Sequence, residues 1–190
     1  LDTLESYGAS GSRLLGHASH FVPGVEVSTG SLGHGMPIGC GLALAAKRGG
    51  SAARAFVLLS DGELDEGSNW EAILFAGHHR LDNLVAIVDY NKIQSFGTIS
   101  EVLDLEPLPA KWEAFGWAVH EVDGHDLFAL TALLRALKAD DQRDRPACVI
   151  AKTVKGKGVS YMETEPGWHL GYLAPVDAEA AVAELMNKEI

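Results

Sequence analysis

The chain has 190 residues, 47% of them hydrophobic and 22% charged, with 21 glycines and a formal net charge of −11. That length fits one domain around a single core, and the composition excludes a disordered tail or a coiled coil. The longest apolar runs, Phe56–Leu59 and Leu84–Val88, are far short of the roughly 20 residues of a membrane helix. The acidic balance offers no basic stripe to nucleic acid or to an anionic membrane surface, so neither is expected as a partner.

Leu1–Arg13 carry no basic segment followed by an apolar stretch of the kind a secretory signal shows. The two cysteines, Cys40 and Cys148, stand in apolar surroundings with neither metal-type spacing nor a framework of pairs. This suits the reducing cytoplasm.

Val25–Thr29 leads into the Gly-rich run Gly30–Gly35, and the Ala/Leu-rich stretch up to Lys47-Arg48 reads as a helix stopped by Gly49-Gly50. Phe56–Ser60 and Leu84–Asp89 are continuous rather than alternating apolar runs, the pattern of strands buried on both faces of a parallel sheet. Between them Ser68-Asn69-Trp70-Glu71 has the form of a capping box, which predicts a helix through Ala72, Phe75 and Ala76 towards Arg80. Lys111–Gly116 closes a short helix, Trp117–Val122 is a third strand, and Leu127, Leu130, Leu134 and Leu137 mark one helix face. Ala147–Lys152 is a further strand, and Asp177–Ile190 reads as a surface helix with Ala181, Leu185 and Met186 facing inward. Strands alternating with helices predict an α/β domain whose parallel sheet is covered on both faces, with ligands gathered at the carboxyl ends of the strands.

Chemistry can sit in three places. Gly33-His34-Gly35 with Gly39 has GxGxxxG rather than dinucleotide spacing, so the glycines serve either close packing or a phosphate cradle at a helix N-terminus. Asp61 and Asn91 each follow a buried strand. If those strands are neighbours, a carboxylate and an amide oxygen converge near a loop carbonyl and offer hard ligands to Mg²⁺ or Ca²⁺. The alternative is that Asp61 caps the next helix and Asn91 makes a turn. An EF-hand is excluded for Asp61–Ala72, because its sixth position is Glu66 and its twelfth Ala72. His17/His20 and His78/His79 lack a second ligand pair at zinc spacing.

Taken together, Gly16-His17, Pro23–Gly35, Ser60–Ala72, Asn91, Lys155–Ser160 and Trp168-His169 resemble the transketolase family of thiamine-diphosphate enzymes, and within it the N-terminal section of transketolases split into two chains. The resemblance runs from about residue 16 to 170. It implies a three-layer α/β sandwich with a mainly parallel sheet, residues 1–190 forming a single diphosphate-side domain that lacks the family's N-terminal portion. Asp61, Asn91 and the carbonyl of Ile93 would hold Mg²⁺ or Ca²⁺ on the diphosphate, and Gly62 and Glu63 would offer backbone donors. Gly30 and Leu32 would line the aminopyrimidine and thiazolium. Lys155 and His169 would stand near diphosphate and substrate, and His17 would face the sugar. Glu66 and Glu71 match buried carboxylates of a relay between the two active sites of a dimer, Glu71 also being the acid of the capping box.

The implied activity is transfer of a two-carbon ketol unit from a ketose to an aldose, with sugar or sugar-phosphate substrates. The implied partner is a C-terminal transketolase subunit carrying the pyrimidine-side domain, in a dimer or heterotetramer. Departures are Ser60 for the first glycine of GDG, Ala18 for the proline after His17, and Leu170 for the glycine after Trp-His. Two other readings stand beside this one. One is the alpha chain of a 2-oxo acid dehydrogenase, against which Lys155–Ser160 and Trp168-His169 argue; the other is a non-catalytic interaction subunit of such a complex.

Overall fold

The computed structural model describes residues 2–140 and 143–187. After the short α1 (Asp2–Glu5) and a long loop come α2 (Gly35–Arg48), β1 (Ala55–Ser60), a 3-10 turn (Gly62–Asp65) and α3 (Gly67–His78). Next are β2 (Leu84–Tyr90), the two-residue strands β3 (Ile93–Gln94) and β4 (Gly97–Thr98), α4 (Ile99–Val102) and α5 (Leu108–Ala114). β5 (Ala118–Asp123), α6 (Leu127–Ala139), β6 (Ala147–Lys152), a 3-10 turn (Pro166–Leu170) and α7 (Pro175–Asn187) complete the chain.

β1, β2, β6 and β5 lie side by side in that order, all parallel, while β3 and β4 pair as a separate antiparallel hairpin. The register places Ser60 opposite Asp89, Tyr90 opposite Lys152, and Lys152 opposite Asp123. The loops that follow all four strands therefore open at one end of the sheet.

The main core lies on the face covered by α2, α3 and α5. Met36, Cys40, Ile73 and Trp112 pack there on Leu59, Val88 and Ile150. The indole N–H of Trp117 donates to the carbonyl of Ile73 (2.9 Å) and that of Trp70 to the carbonyl of Leu64 (2.7 Å), so these large side chains are buried without losing their hydrogen bonds. On the opposite face α6 covers Val85, Ala147 and Val149. Layers of helices, sheet and helix make the three-layer α/β sandwich.

Several local expectations change. β1 is buried on one side only: Phe56 is 44% and Leu58 72% exposed, because α6 covers β2, β6 and β5 but stops short of this edge strand. Along α6, Leu127 is exposed at the first turn, and Leu133 joins Leu130, Leu134 and Leu137 in the contact. On α7 Ala181 is buried, but Leu185 is 42% and Met186 81% exposed, so the inward face is narrower than the sequence suggested. The predicted end of that helix, residues 188–190, lies outside the described residues.

α3 begins at Gly67 rather than at a Ser68 cap, and it has no capping side chain. The Ser68 hydroxyl instead donates to the carbonyl of Gly33 (2.7 Å), tying the Gly-rich loop to α3. A capping box does form at Thr98, whose N–H and hydroxyl both donate to the Glu101 carboxylate (3.2 and 2.8 Å).

Candidate functional site

The site is built where β1, β2 and β6 end. Asp61 is only 1% exposed. One of its carboxylate oxygens accepts the Gly62 N–H (2.7 Å) and the other the Lys92 N–H (2.5 Å), so the turn after β1 is fastened to the turn after β2. Burial is the leading cause that pushes the Asp61 carboxyl above its ordinary value, and the negative charge of Asp89 adds to it. The two backbone donors and the charge of Lys155 act the other way.

In the second turn the Asn91 amide oxygen accepts the Ile93 N–H (2.9 Å), and the Asn91 amide nitrogen donates to Asp89 (3.2 Å). Lys92 between them has φ of 67°. That left-handed conformation costs a residue with a side chain about 1–2 kcal/mol, and it lets the Lys92 N–H point at Asp61. The capping role of Asp61 and the turn role of Asn91 are thus both real. They also place a buried carboxylate, an amide and the Ile93 backbone on adjoining turns.

Lys155 follows β6, close enough to Asp61 and His169 to act on the charge of both. Gly156, with φ of 76°, begins the turn beyond it, and a side chain there would meet the carbonyl of Met162 at 2.5 Å. His169 is exposed; partial burial and the neighbouring Lys155 charge hold its pKa below the ordinary histidine value, so it is neutral at pH 7.

Of the remaining predicted residues, His17 is exposed and lies against Gly30, where any side chain would meet the His17 ring at 2.9 Å. Gly30 has φ of 147°, which suits glycine alone. Leu32 is 51% exposed. The loop bearing these three is joined to the Asp61 turn through Gly33, whose N–H donates to the Glu63 carboxylate (3.0 Å).

Two expectations are corrected. The Gly62 and Glu63 N–H groups are already engaged, the first by Asp61 and the second by the Ser60 hydroxyl (3.1 Å), a partner that glycine at position 60 could not supply. Glu66 and Glu71 are exposed rather than buried, because the start of α3 faces outward in this chain. Glu71 takes no part in a capping box. Sequence reasoning missed Asp89, Lys92 and Thr153. The signal for the first was the Asp-x-Asn spacing at a strand end, and for the third its place directly after a strand.

Among the described residues no three His, Cys, Asp or Glu side chains come together as a metal cluster. A hard cation at Asp61 would therefore complete its shell with carbonyl and amide oxygens and with oxygens of a bound ligand, the habit of Mg²⁺ with phosphorylated cofactors. The buried and proton-favouring carboxylate, the adjacent Asp89 charge and the nearby Lys155 fit a divalent ion with an anionic ligand.

Comparison with known proteins agrees with this geometry. Residues 1–186 match the family described as transketolase, thiamine diphosphate binding domain. One of the two subunits of the apulose-4-phosphate transketolase of Actinobacillus succinogenes is 45% identical over 188 residues, which are 98% of this chain and 67% of that protein. A 6-deoxy-6-sulfo-D-fructose transketolase subunit from a Clostridium species is 38% identical over 97% of this chain and 67% of its own length. The chain thus spans about two thirds of these curated relatives. The crystal structure of a transketolase from Campylobacter jejuni superposes with a TM-score of 0.89 at 31% identity, over 97% of this chain and 30% of that one. In sequence and in fold, the chain belongs to the transketolase family through its thiamine diphosphate-binding domain.

Proposed function

We propose that this chain is the diphosphate- and metal-binding subunit of a transketolase that transfers a two-carbon ketol unit from a ketose to an aldose. The observation that carries the reading is the buried Asp61 carboxylate, fastened to the turn of Asn91, Lys92 and Ile93 beside Lys155 at the carboxyl ends of neighbouring parallel strands.

In this reading Asp61, Asn91 and the Ile93 carbonyl hold Mg²⁺ or Ca²⁺. Thiamine diphosphate, when bound, supplies the electron sink for carbon–carbon bond cleavage. Lys155 brings the positive charge that an acidic protein needs next to a diphosphate. The backbone donors of Gly62 and Glu63 become available only by leaving Asp61 and Ser60. Gly30 and Leu32 line the ring side of the cofactor, and His17, on the same loop, faces the sugar. The neutral His169 can accept or donate a proton at a substrate hydroxyl. Glu66 serves contact between active sites once a partner covers it.

A partner is required because the rim of the site is bare. Phe96, Leu170 and Tyr172 are 87%, 88% and 86% exposed, and the β3–β4 hairpin that carries Phe96 touches the 166–170 turn. Apolar groups gathered in this way mark an interaction surface. The partner is a protein with the pyrimidine-side domain, in a dimer or heterotetramer, and the substrates are sugars or sugar phosphates. Free, buried Cys40 and Cys148 suit a reducing compartment, which places the assembly in the cytoplasm.

The test is turnover by the assembled complex supplied with Mg²⁺ and thiamine diphosphate. Ketose phosphates with an aldose acceptor should give products shortened and lengthened by two carbons, with none from the Asp61→Ala complex. Release of CO₂ from a 2-oxo acid, or no reaction with any ketose, would contradict the reading.

A further inference from the structure

The two connections that flank the centre of the sheet leave on opposite faces. The β1-to-β2 crossover runs through α3 on the side of the main core, and the β5-to-β6 crossover runs through α6 on the other. Strand order reverses between β2 and β6, so a crevice opens above their carboxyl ends. One direct side-chain bridge spans that crevice: the Thr153 hydroxyl, just after β6, donates to the Asp89 carboxylate near the end of β2. The same carboxylate oxygen accepts the Asn91 amide N–H (3.2 Å).

An asparagine amide has one oxygen and one nitrogen end, and only the oxygen can ligate a cation. Asp89 accepts hydrogen bonds and cannot donate when ionised, so it holds the nitrogen end and leaves the oxygen end turned towards Ile93, where the Ile93 N–H already meets it at 2.9 Å. Thr153 is itself confined. A side chain at Gly124 would run into its methyl group, so glycine in the β5 loop allows the close approach. The backbone N–H of Asp61 also donates to the Asp89 carbonyl (3.1 Å), which puts the carboxylate ligand and the orienting residue on one rigid support.

We propose that Asp89 and Thr153 are positioning residues that fix the Asn91 amide with its oxygen towards the cation, Thr153 acting across the β2–β6 crevice through Asp89. This rests on the reading of Asp61 and Asn91 as metal ligands. Neither residue touches the ion; partners of this kind typically change metal affinity 10–100-fold when removed.

The experiment measures Ca²⁺ dissociation constants by calorimetry in the complex with the partner subunit, saturated with thiamine diphosphate, alongside thermal unfolding of the metal-free complex. Thr153→Val keeps the side chain's shape and should weaken Ca²⁺ binding about 10–100-fold, as should Asp89→Ala, whereas Thr153→Ser should stay within about twofold of the wild type. In an Asn91→Asp background, whose carboxylate presents oxygen in either orientation, Thr153→Val should change the affinity by no more than about twofold.

A lower unfolding temperature of Thr153→Val with unchanged Ca²⁺ affinity would overturn the positioning role and leave a structural one. If Asp61→Ala loses the ion while Thr153→Val binds it as the wild type does, only this proposal falls. If Asp61→Ala binds Ca²⁺ like the wild type, the site reading fails and the positioning role falls with it.

Discussion

Tyr90 lies at the end of β2, 5% exposed, and its hydroxyl donates to Glu106 at 2.5 Å. Burial first, and Glu106 second, push the phenol above its ordinary value. In turn that hydroxyl and the Leu108 N–H hold the Glu106 carboxyl below its ordinary 4.5. A carboxyl lowered by folding stabilises the fold above its unfolded value, and that contribution is lost as pH falls through the folded one. The raised phenol does the reverse: its contribution is present below about pH 10 and is lost on the alkaline side. Tyr90→Phe should therefore cost about 1 kcal/mol at neutral pH, since Glu106 is largely exposed, and it should reduce the loss of stability below pH 4.5. Thermal melts of both forms from pH 3 to 7 check this; an unchanged acid limb would show that the pair is not coupled to folding. At this scale the sequence was informative where spacing speaks. Asp61 and Asn91 stand at strand ends and do converge. Thr153, by contrast, sits 64 positions from Asp89, and no local pattern could announce their bridge.

Among the elements, the four long strands and the helices α2, α3, α5 and α6 were readable because each carries an uninterrupted apolar run or a helical stripe. The exposed side of β1 was not readable. Phe56-Val57-Leu58-Leu59 looks like a strand buried on both faces whether or not a neighbour covers it, and only the sheet order shows that it is an edge. The helix start at Gly67 was misread because Ser68 answers to the Gly33 carbonyl, a partner 35 positions away.

Packing between elements also depends on absent side chains. Gly77 on α3 passes so close to the backbone carbonyl of Phe115, after α5, that an added methyl group would collide with it. The carbonyl is main chain and cannot rotate aside, so Gly77→Ala should destabilise the fold by about 1–3 kcal/mol. Urea unfolding would show this as a lower midpoint with an unchanged slope; an unchanged midpoint would mean that α3 and α5 separate without cost.

For the molecule as a whole, the apolar rim formed by Phe96, Leu170 and Tyr172 is the feature that a single chain does not explain. Replacing Phe96 and Tyr172 with serine should leave thermal stability within about 0.5 kcal/mol, since neither is packed, yet weaken assembly with the pyrimidine-side subunit by at least about tenfold. Sedimentation of mixtures over a concentration series would measure it, and assembly equal to wild type would locate the interface elsewhere. No reading of the sequence alone could find this rim, because its members come from a hairpin and a turn 74 positions apart that meet only in the fold.

The central claim is that Asp61 and the Asn91 turn hold a divalent cation on the diphosphate of a cofactor. Its most direct test is calorimetric titration of thiamine diphosphate with Mg²⁺ into the chain assembled with its pyrimidine-side partner, for the wild type and for Asp61→Ala. Saturable binding by the wild type, abolished by a chelator and absent from Asp61→Ala, is the predicted result. Equal cofactor affinity in the two proteins, or binding that a chelator does not touch, would contradict the account.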